Sequence, residues 1–147
     1  MLNSPDFKEL LSLFRKHKVK YLIVGGYAVM RYSEPRFTKD LDLLISVEID
    51  NARSVFNALK EFGAPLSRLS AEDFSKEGFF YQMGRPPIRV DILMSIPGIK
   101  FDEAWKRRDL LKIDHVEMIF ISKDDLIISK KASARPQDLI DVENLEK

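Results

Sequence analysis

The sequence contains no cysteine among its 147 residues and only two histidines, His17 and His115. Lack of cysteine excludes a disulfide scaffold, a thiolate zinc site and a cysteine nucleophile. The two histidines are too isolated to suggest a metal cluster or a Ser-His-Asp site. No apolar run approaches the ~18 residues that span a bilayer. The clearest unbroken runs, 21–24 and 118–121, have only strand length. The opening residues lack the basic start and apolar stretch of a secretory signal, so a soluble cytoplasmic domain with no membrane partner is expected. A dominant charge is missing too: 24 Lys and Arg face 23 Asp and Glu, for a net charge of +1. That gives no global signature of a nucleic-acid binder. The basic runs at 15–20 and 106–108 stay open as solvated helix ends or local contacts to RNA phosphates.

What is present is ordinary globular composition, 45% hydrophobic and 32% charged. The length predicts one domain over 1–147, large enough to bury a core without staples. Ser4-Pro5-Asp6 reads as a helix start, with a hydroxyl cap, proline at the first helical position and an acid at the positive dipole end. Phe7, Leu10, Leu11, Leu13 and Phe14 follow at helical spacing, and the basic residues from Arg15 suit the far end of that helix. Tyr21-Leu22-Ile23-Val24 predicts a buried strand stopped by Gly25-Gly26, with a helix over 27–32 broken at Glu34-Pro35-Arg36. A strand is expected over 40–45 and a helix over 50–62, with Gly63 as its stop. Beyond a mixed stretch at 66–78, a hairpin of strands at 79–83 and 88–94 turns at Gly84 and is separated by Pro86-Pro87. A short helix over 102–108 carries Trp105, which with Phe101 reads as core or a surface anchor. Short strands at 110–113 and 116–121 flank Asp114-His115. Ser122 caps a helix reaching about Ala134, and Pro136 opens a last amphipathic helix. This order predicts an α/β fold with a mixed β-sheet flanked by helices.

Three features carry chemistry. Thirteen residues separate Gly25-Gly26 from Asp40-Leu41-Asp42-Leu43. Residues two apart on a strand project to the same side, so Asp40 and Asp42 point together while Leu41 and Leu43 face the core. Paired carboxylates repel unless a cation sits between them, and hard divalent ions such as Mg²⁺ favour such oxygen ligands. Asp91, between Val90 and Ile92, projects from the non-core side of its strand. If that strand pairs beside the Asp40–Asp42 strand, three carboxylates converge and can hold two metals roughly 3.5–4 Å apart. Gly25-Gly26 at a strand-to-helix turn leaves backbone N–H groups free to approach a phosphate. Each feature alone also has a plain structural meaning: glycines end strands, and acidic pairs form solvated edges or ion pairs with Arg89 or Lys39. Their order along the chain is more specific than any part.

In this order of residues the chain resembles the minimal nucleotidyltransferases of the DNA polymerase beta superfamily, and most closely their AbiEii-type branch of toxin and phage-defence components. The likeness rests on Tyr21 to Ile45, including Arg36-Phe37-Thr38-Lys39-Asp40-Leu41-Asp42-Leu43-Leu44-Ile45, and on Lys130-Lys131-Ala132-Ser133-Ala134-Arg135-Pro136-Gln137-Asp138-Leu139-Ile140-Asp141. It implies a nucleotidyltransferase-like fold and transfer of a nucleoside monophosphate from an NTP such as ATP to an acceptor hydroxyl on protein or RNA. Asp40 and Asp42 would bind both of two Mg²⁺ ions, and Asp91 would complete the metal site on the acceptor side. Gly25 and Gly26 would hold the triphosphate. Lys131 is placed by the final block as a phosphate ligand or as a surface lysine, and Arg135 as an ion-pair partner of Asp138 or Asp141 or as a site residue. Gly26 stands where many relatives carry serine, and no large second domain is present to grip a base or an RNA end. A toxin–antitoxin partner belongs to the implied setting. A catalytically silent nucleotide-binding or antitoxin-like module and a plain RNA-binding domain are the rival readings.

Overall fold

Strands and helices are interspersed along the chain in the computed structural model, which describes residues 2, 4–38, 40–85 and 88–147. In order these are α1 (Pro5–Lys16), β1 (Tyr21–Val24), α2 (Gly25–Tyr32), β2 (Asp40–Ile45), α3 (Ile49–Phe62), a short 3₁₀ helix (Ala71–Ser75), β3 (Phe80–Arg85), β4 (Ile88–Leu93), α4 (Phe101–Lys106), β5 (Asp109–Ile113), β6 (Val116–Phe120), α5 (Lys123–Ser133) and α6 (Pro136–Leu145). The strands form one mixed sheet in the order β3-β4-β2-β1-β6-β5. β1 runs antiparallel to β2 and parallel to β6, whereas β2 and β4 run parallel. The mixed sheet flanked by helices is the architecture expected from the sequence.

Local chemistry accounts for most element boundaries. All four residues of β1 are buried, as a central strand covered on both faces requires. β2 alternates half-buried Asp40 and Asp42 with buried Leu41 and Leu43, then becomes wholly buried. α1 has Pro5 in its first turn, Asp6 near its positive end and Arg15 and Lys16 near its negative end. Its Phe7, Leu10, Leu11 and Phe14 are buried, with Phe14 edge-on to Tyr21. α3 stops at Gly63, whose φ of +95° closes the helix in the left-handed region. Asp114 and His115, with φ of 50° and 68°, make the two-residue turn that joins β5 to β6.

Several expectations shift. Ser4 makes no side-chain cap; its hydroxyl is buried without a partner among the described residues, and Pro5 together with the bond from Lys8 N–H to the Ser4 carbonyl (3.0 Å) starts the helix. α2 begins at Gly25, not Tyr27, so both glycines belong to its first turn. β3 continues through Gly84 to Arg85, because Gly84 still pairs with Arg89 of β4. The proposed separator Pro86-Pro87 lies outside the described residues, as does Lys39. α4 ends at Lys106, where Arg107 and Arg108 N–H groups bond back to the Ala104 and Trp105 carbonyls. Among the described residues no helix is long and apolar enough to cross a membrane.

Candidate active site

The parallel register of β2 and β4 sets Asp42 directly beside Asp91 and Asp40 beside Arg89. Burial raises the Asp42 carboxyl foremost, followed by the charge and hydrogen bond of Asp91 and the charge of Asp40; the Lys130 ammonium offsets only part of this. The result is a pKa of about 7, against an ordinary 3.8. Two carboxyl groups in this contact share a proton or a cation, since both cannot remain charged and bare. Asp91 Oδ1 is buried and has no hydrogen-bond partner among the described residues. Arg89 reaches across this face: it donates to Asp40 Oδ2 at 3.0 Å, while its Nε lies 3.9 Å from Asp91 Oδ1. The structure therefore brings Asp42 and Asp91 together and engages Asp40 with Arg89, the ion pair that was the plain reading of this acid. Among the described residues no three acids or histidines are gathered closely enough to form a ready-made metal cluster. The Asp42–Asp91 pair nonetheless fits a divalent ion chemically: it offers carboxylate oxygens, one of them unpartnered, where positive charge is in deficit.

Gly25 and Gly26 sit at the end of β1 against these acids, and each is glycine for its own reason. Gly25 has φ +70°, and a Cβ there would lie 2.1 Å from Asp42 Oδ2. Backbone conformation and space both exclude a side chain. The first turn of α2 takes no side-chain cap, since Val24 occupies the capping position.

Cations line the same cleft. Gly25, Gly26, Arg36, Thr38, Asp40, Asp42, Lys130 and Arg135 surround a cleft of about 390 Å³, and a smaller recess of about 120 Å³ beside it is bounded by Asp42, Lys130, Ser129 and the Ile96–Pro97 turn. Lys130 is only 11% exposed and donates to Asp138 Oδ1 at 3.3 Å and Asp141 Oδ2 at 2.9 Å. Arg36 pairs with Asp141, and Arg135 donates through Nε to Asp138 Oδ2 at 2.8 Å. Asp138 and Asp141 are almost wholly buried, which such partners permit. Burial acts to raise Asp138, but hydrogen bonds from Arg135, Ser133 and Lys130 outweigh it and hold this carboxyl well below the usual range.

Lys131 stands apart. Its side chain is mostly exposed and its Nζ lies 3.6 Å from Glu146, away from the cleft lining. Lys130, Arg36 and Thr38 are lining residues that the sequence reading did not single out, and Arg135 serves both of its readings, as partner of Asp138 and as cleft lining. A helical signal for Lys130 existed: Ser122 caps α5, and Leu126, Ser129, Lys130 and Ser133 share its inner stripe. The histidines lie elsewhere, His17 against Glu61 and His115 in the β5–β6 turn. A larger cavity of about 680 Å³, lined by Ser46, Glu48, Met94 and Phe101, contains none of the expected site residues.

The fold recurs in proteins of known structure, and the sequence matches a family pattern. Residues 6–146 match the family described as nucleotidyltransferase of unknown function (DUF6036). The fold is similar to that of the lincosamide antibiotic adenylyltransferase LnuA in its lincomycin-bound form, at 15% identity and a TM-score of 0.61, covering 99% of this chain and 97% of that one. It is also similar to a Thermotoga maritima protein classed as a nucleotidyltransferase (16% identity, TM-score 0.60, 95% and 87% covered). An antigenic nucleotidyltransferase-like protein of Paracoccidioides brasiliensis aligns at 18% identity with a TM-score of 0.55, over 95% of this chain and 71% of that one. At these identities the likeness is one of fold. No match was found among curated protein sequences.

Proposed function

The chain belongs to the nucleotidyltransferase family of unknown function DUF6036, and from that premise we propose that it moves a nucleoside monophosphate from an NTP, ATP first among them, to a hydroxyl on a protein or RNA acceptor. The acceptor oxygen forms the new bond to the α-phosphorus, the bond to the β-phosphate oxygen breaks, and pyrophosphate leaves. The observation that carries the proposal is one cleft in which a glycine turn and three cations meet Asp40 and Asp42, with Asp91 set beside Asp42 on the neighbouring strand.

In this reading the first N–H groups of α2, with Lys130, Arg36 and Arg135, bind and orient the triphosphate. Because these donors are fixed by Asp138 and Asp141, they need little rearrangement as charge builds on the phosphoryl oxygens. Asp42 and Asp91, with Asp40 beside them, would hold Mg²⁺, two ions in the full arrangement. Bound there, the metal supplies positive charge to the phosphates and the reacting oxygens. Asp91, completing the acid pair on the acceptor side, is the group proposed to take the hydrogen of the acceptor hydroxyl. Lys131, being outside the lining, takes no part in holding the nucleotide. The likeness of the two sequence blocks to the AbiEii-type branch supports a toxin–antitoxin or phage-defence setting, with a cognate partner and cytoplasmic action.

The Arg89–Asp40 ion pair favours a second reading, a catalytically silent nucleotide-binding or antitoxin-like module, because it engages one of the three acids. Incubating the protein with Mg²⁺, each α-³²P-labelled NTP and pools of RNA and protein separates the two. Label transfer that disappears in Asp42→Asn supports the enzyme. Nucleotide binding without transfer to any acceptor supports the silent module.

A further inference from the structure

Gly26 poses a question that Gly25 does not. Its φ is not in the left-handed region, so backbone conformation does not demand glycine. Space does. A Cβ at Gly26 would lie 2.6 Å from Thr38 Oγ1, 3.0 Å from Thr38 Cβ and 3.3 Å from Arg36 Nη2. The segment before β2 thus presses a hydroxyl and a guanidinium nitrogen onto the first turn of α2, into the volume a side chain would have filled. Thr38 is only half-buried and its hydroxyl has no hydrogen-bond partner among the described residues. Arg36 is held from behind, since its Nη1 pairs with Asp141. Both groups line the same cleft as Asp40, Asp42 and Lys130.

We propose that the Thr38 hydroxyl, seated beside Arg36 Nη2 over the uncapped start of α2, donates a hydrogen bond to a phosphate oxygen of the nucleotide, and that Gly26 lacks a side chain to admit it. This rests on the nucleotidyltransferase reading and assigns it a specific donor. A threonine present only for packing would need its methyl and its volume. A donor needs its O–H. A hydrogen bond from a neutral hydroxyl to a charged oxygen is worth enough to change affinity by about 10- to 100-fold.

The test measures binding of Mg-ATP and of inorganic tripolyphosphate with Mg²⁺ by calorimetry, with thermal melts on every variant. Thr38→Val keeps the shape and removes the O–H, so binding of both ligands should fall about 10-fold or more with little change in melting temperature. Thr38→Ser should bind within about 3-fold of the unaltered protein. Gly26→Ser should weaken binding through its collision with Thr38, and Gly26→Ser combined with Thr38→Ala should recover most of it, because the hydroxyl is then supplied from the helix side. Val binding as well as Thr, or Ser impaired as much as Val together with a lower melting temperature, would overturn the assignment and make Thr38 a packing residue. If the unaltered protein binds neither ligand, the phosphate cleft itself is wrong and the nucleotidyltransferase reading fails with it. Binding by the unaltered protein with an indifferent Thr38→Val removes Thr38 alone.

Discussion

Asp42 is the residue on which the site's physical chemistry turns. Its carboxyl is raised to about 7 in the fold from 3.8, first by burial and then by Asp91. Between those values the folded protein binds a proton that the unfolded chain has released. Stability of the metal-free protein therefore falls as pH rises from about 4 to about 7, by an amount on the order of a few kcal/mol. Asp138 acts in the other sense, because its lowered pKa gives stability that is present above the ordinary carboxylate range and lost as pH falls through it. Asp42→Asn should remove the decline between pH 4 and 7, leaving a metal-free protein that is more stable than the unaltered one at pH 8. Urea titrations with EDTA at pH 5, 6, 7 and 8 check this, and an unchanged slope in the variant would show that Asp42 is not the group titrating. Gly25→Ala is predicted to cost about 1–3 kcal/mol, since it combines an unfavourable φ of +70° with a Cβ 2.1 Å from Asp42 Oδ2. Chemical denaturation would show the loss, and displacement of Asp42 would abolish any transfer activity as well.

At the scale of elements, α5 shows what a sequence discloses and what it withholds. Two adjacent lysines look alike in the chain, but one helical step of about 100° separates their directions. Lys130 turns inward to Asp138 and Asp141; Lys131 turns outward to Glu146. The phase could have been read from Ser122 and Leu126, so Lys130 was within reach of sequence reasoning. Thr38 was not, because its place over Gly26 follows from how the segment before β2 packs on α2, which no local pattern encodes. Strands were legible where burial wrote the pattern: the bounds of β1 and β2 follow from unbroken or alternating apolar residues. The start of α2 was not, since Gly25 and Gly26 look like a turn and become the helix's first turn only under the contacts from Asp42 and Thr38. Lys130→Met should destabilise by about 3–5 kcal/mol, because it leaves two buried carboxylates short of a partner. Lys131→Ala should stay within about 0.5 kcal/mol of the unaltered protein. Thermal and urea unfolding of the pair provide the comparison, and equal effects would contradict the inward and outward assignment.

Across the whole molecule a net charge of +1 conceals a division of charge that the fold creates. The sheet order places β2 between β1 and β4, so the glycine turn and all three acids come to one region, and α5 and α6 bring Lys130 and Arg135 over the same cleft. Composition could not reveal this, since opposite charges from distant segments cancel in a sum. The consequence is that cations and anions should bind to different groups of one site and compete with different partners. A divalent ion must displace the proton that Asp42 holds, so its binding should strengthen as pH rises through about 7. Mg²⁺ or Mn²⁺ at millimolar concentration should raise the melting temperature clearly at pH 8 and little at pH 5.5. Asp91→Asn should abolish the increment while leaving tripolyphosphate without metal still able to stabilise the fold through Lys130, Arg36 and Arg135. That tripolyphosphate effect should fade with added salt, as expected for charges at an open cleft. Differential scanning fluorimetry over pH, metal and salt measures all of these at once. Metal stabilisation that is equal at pH 5.5 and pH 8, or that survives Asp91→Asn, would place the ion elsewhere than between these two carboxylates.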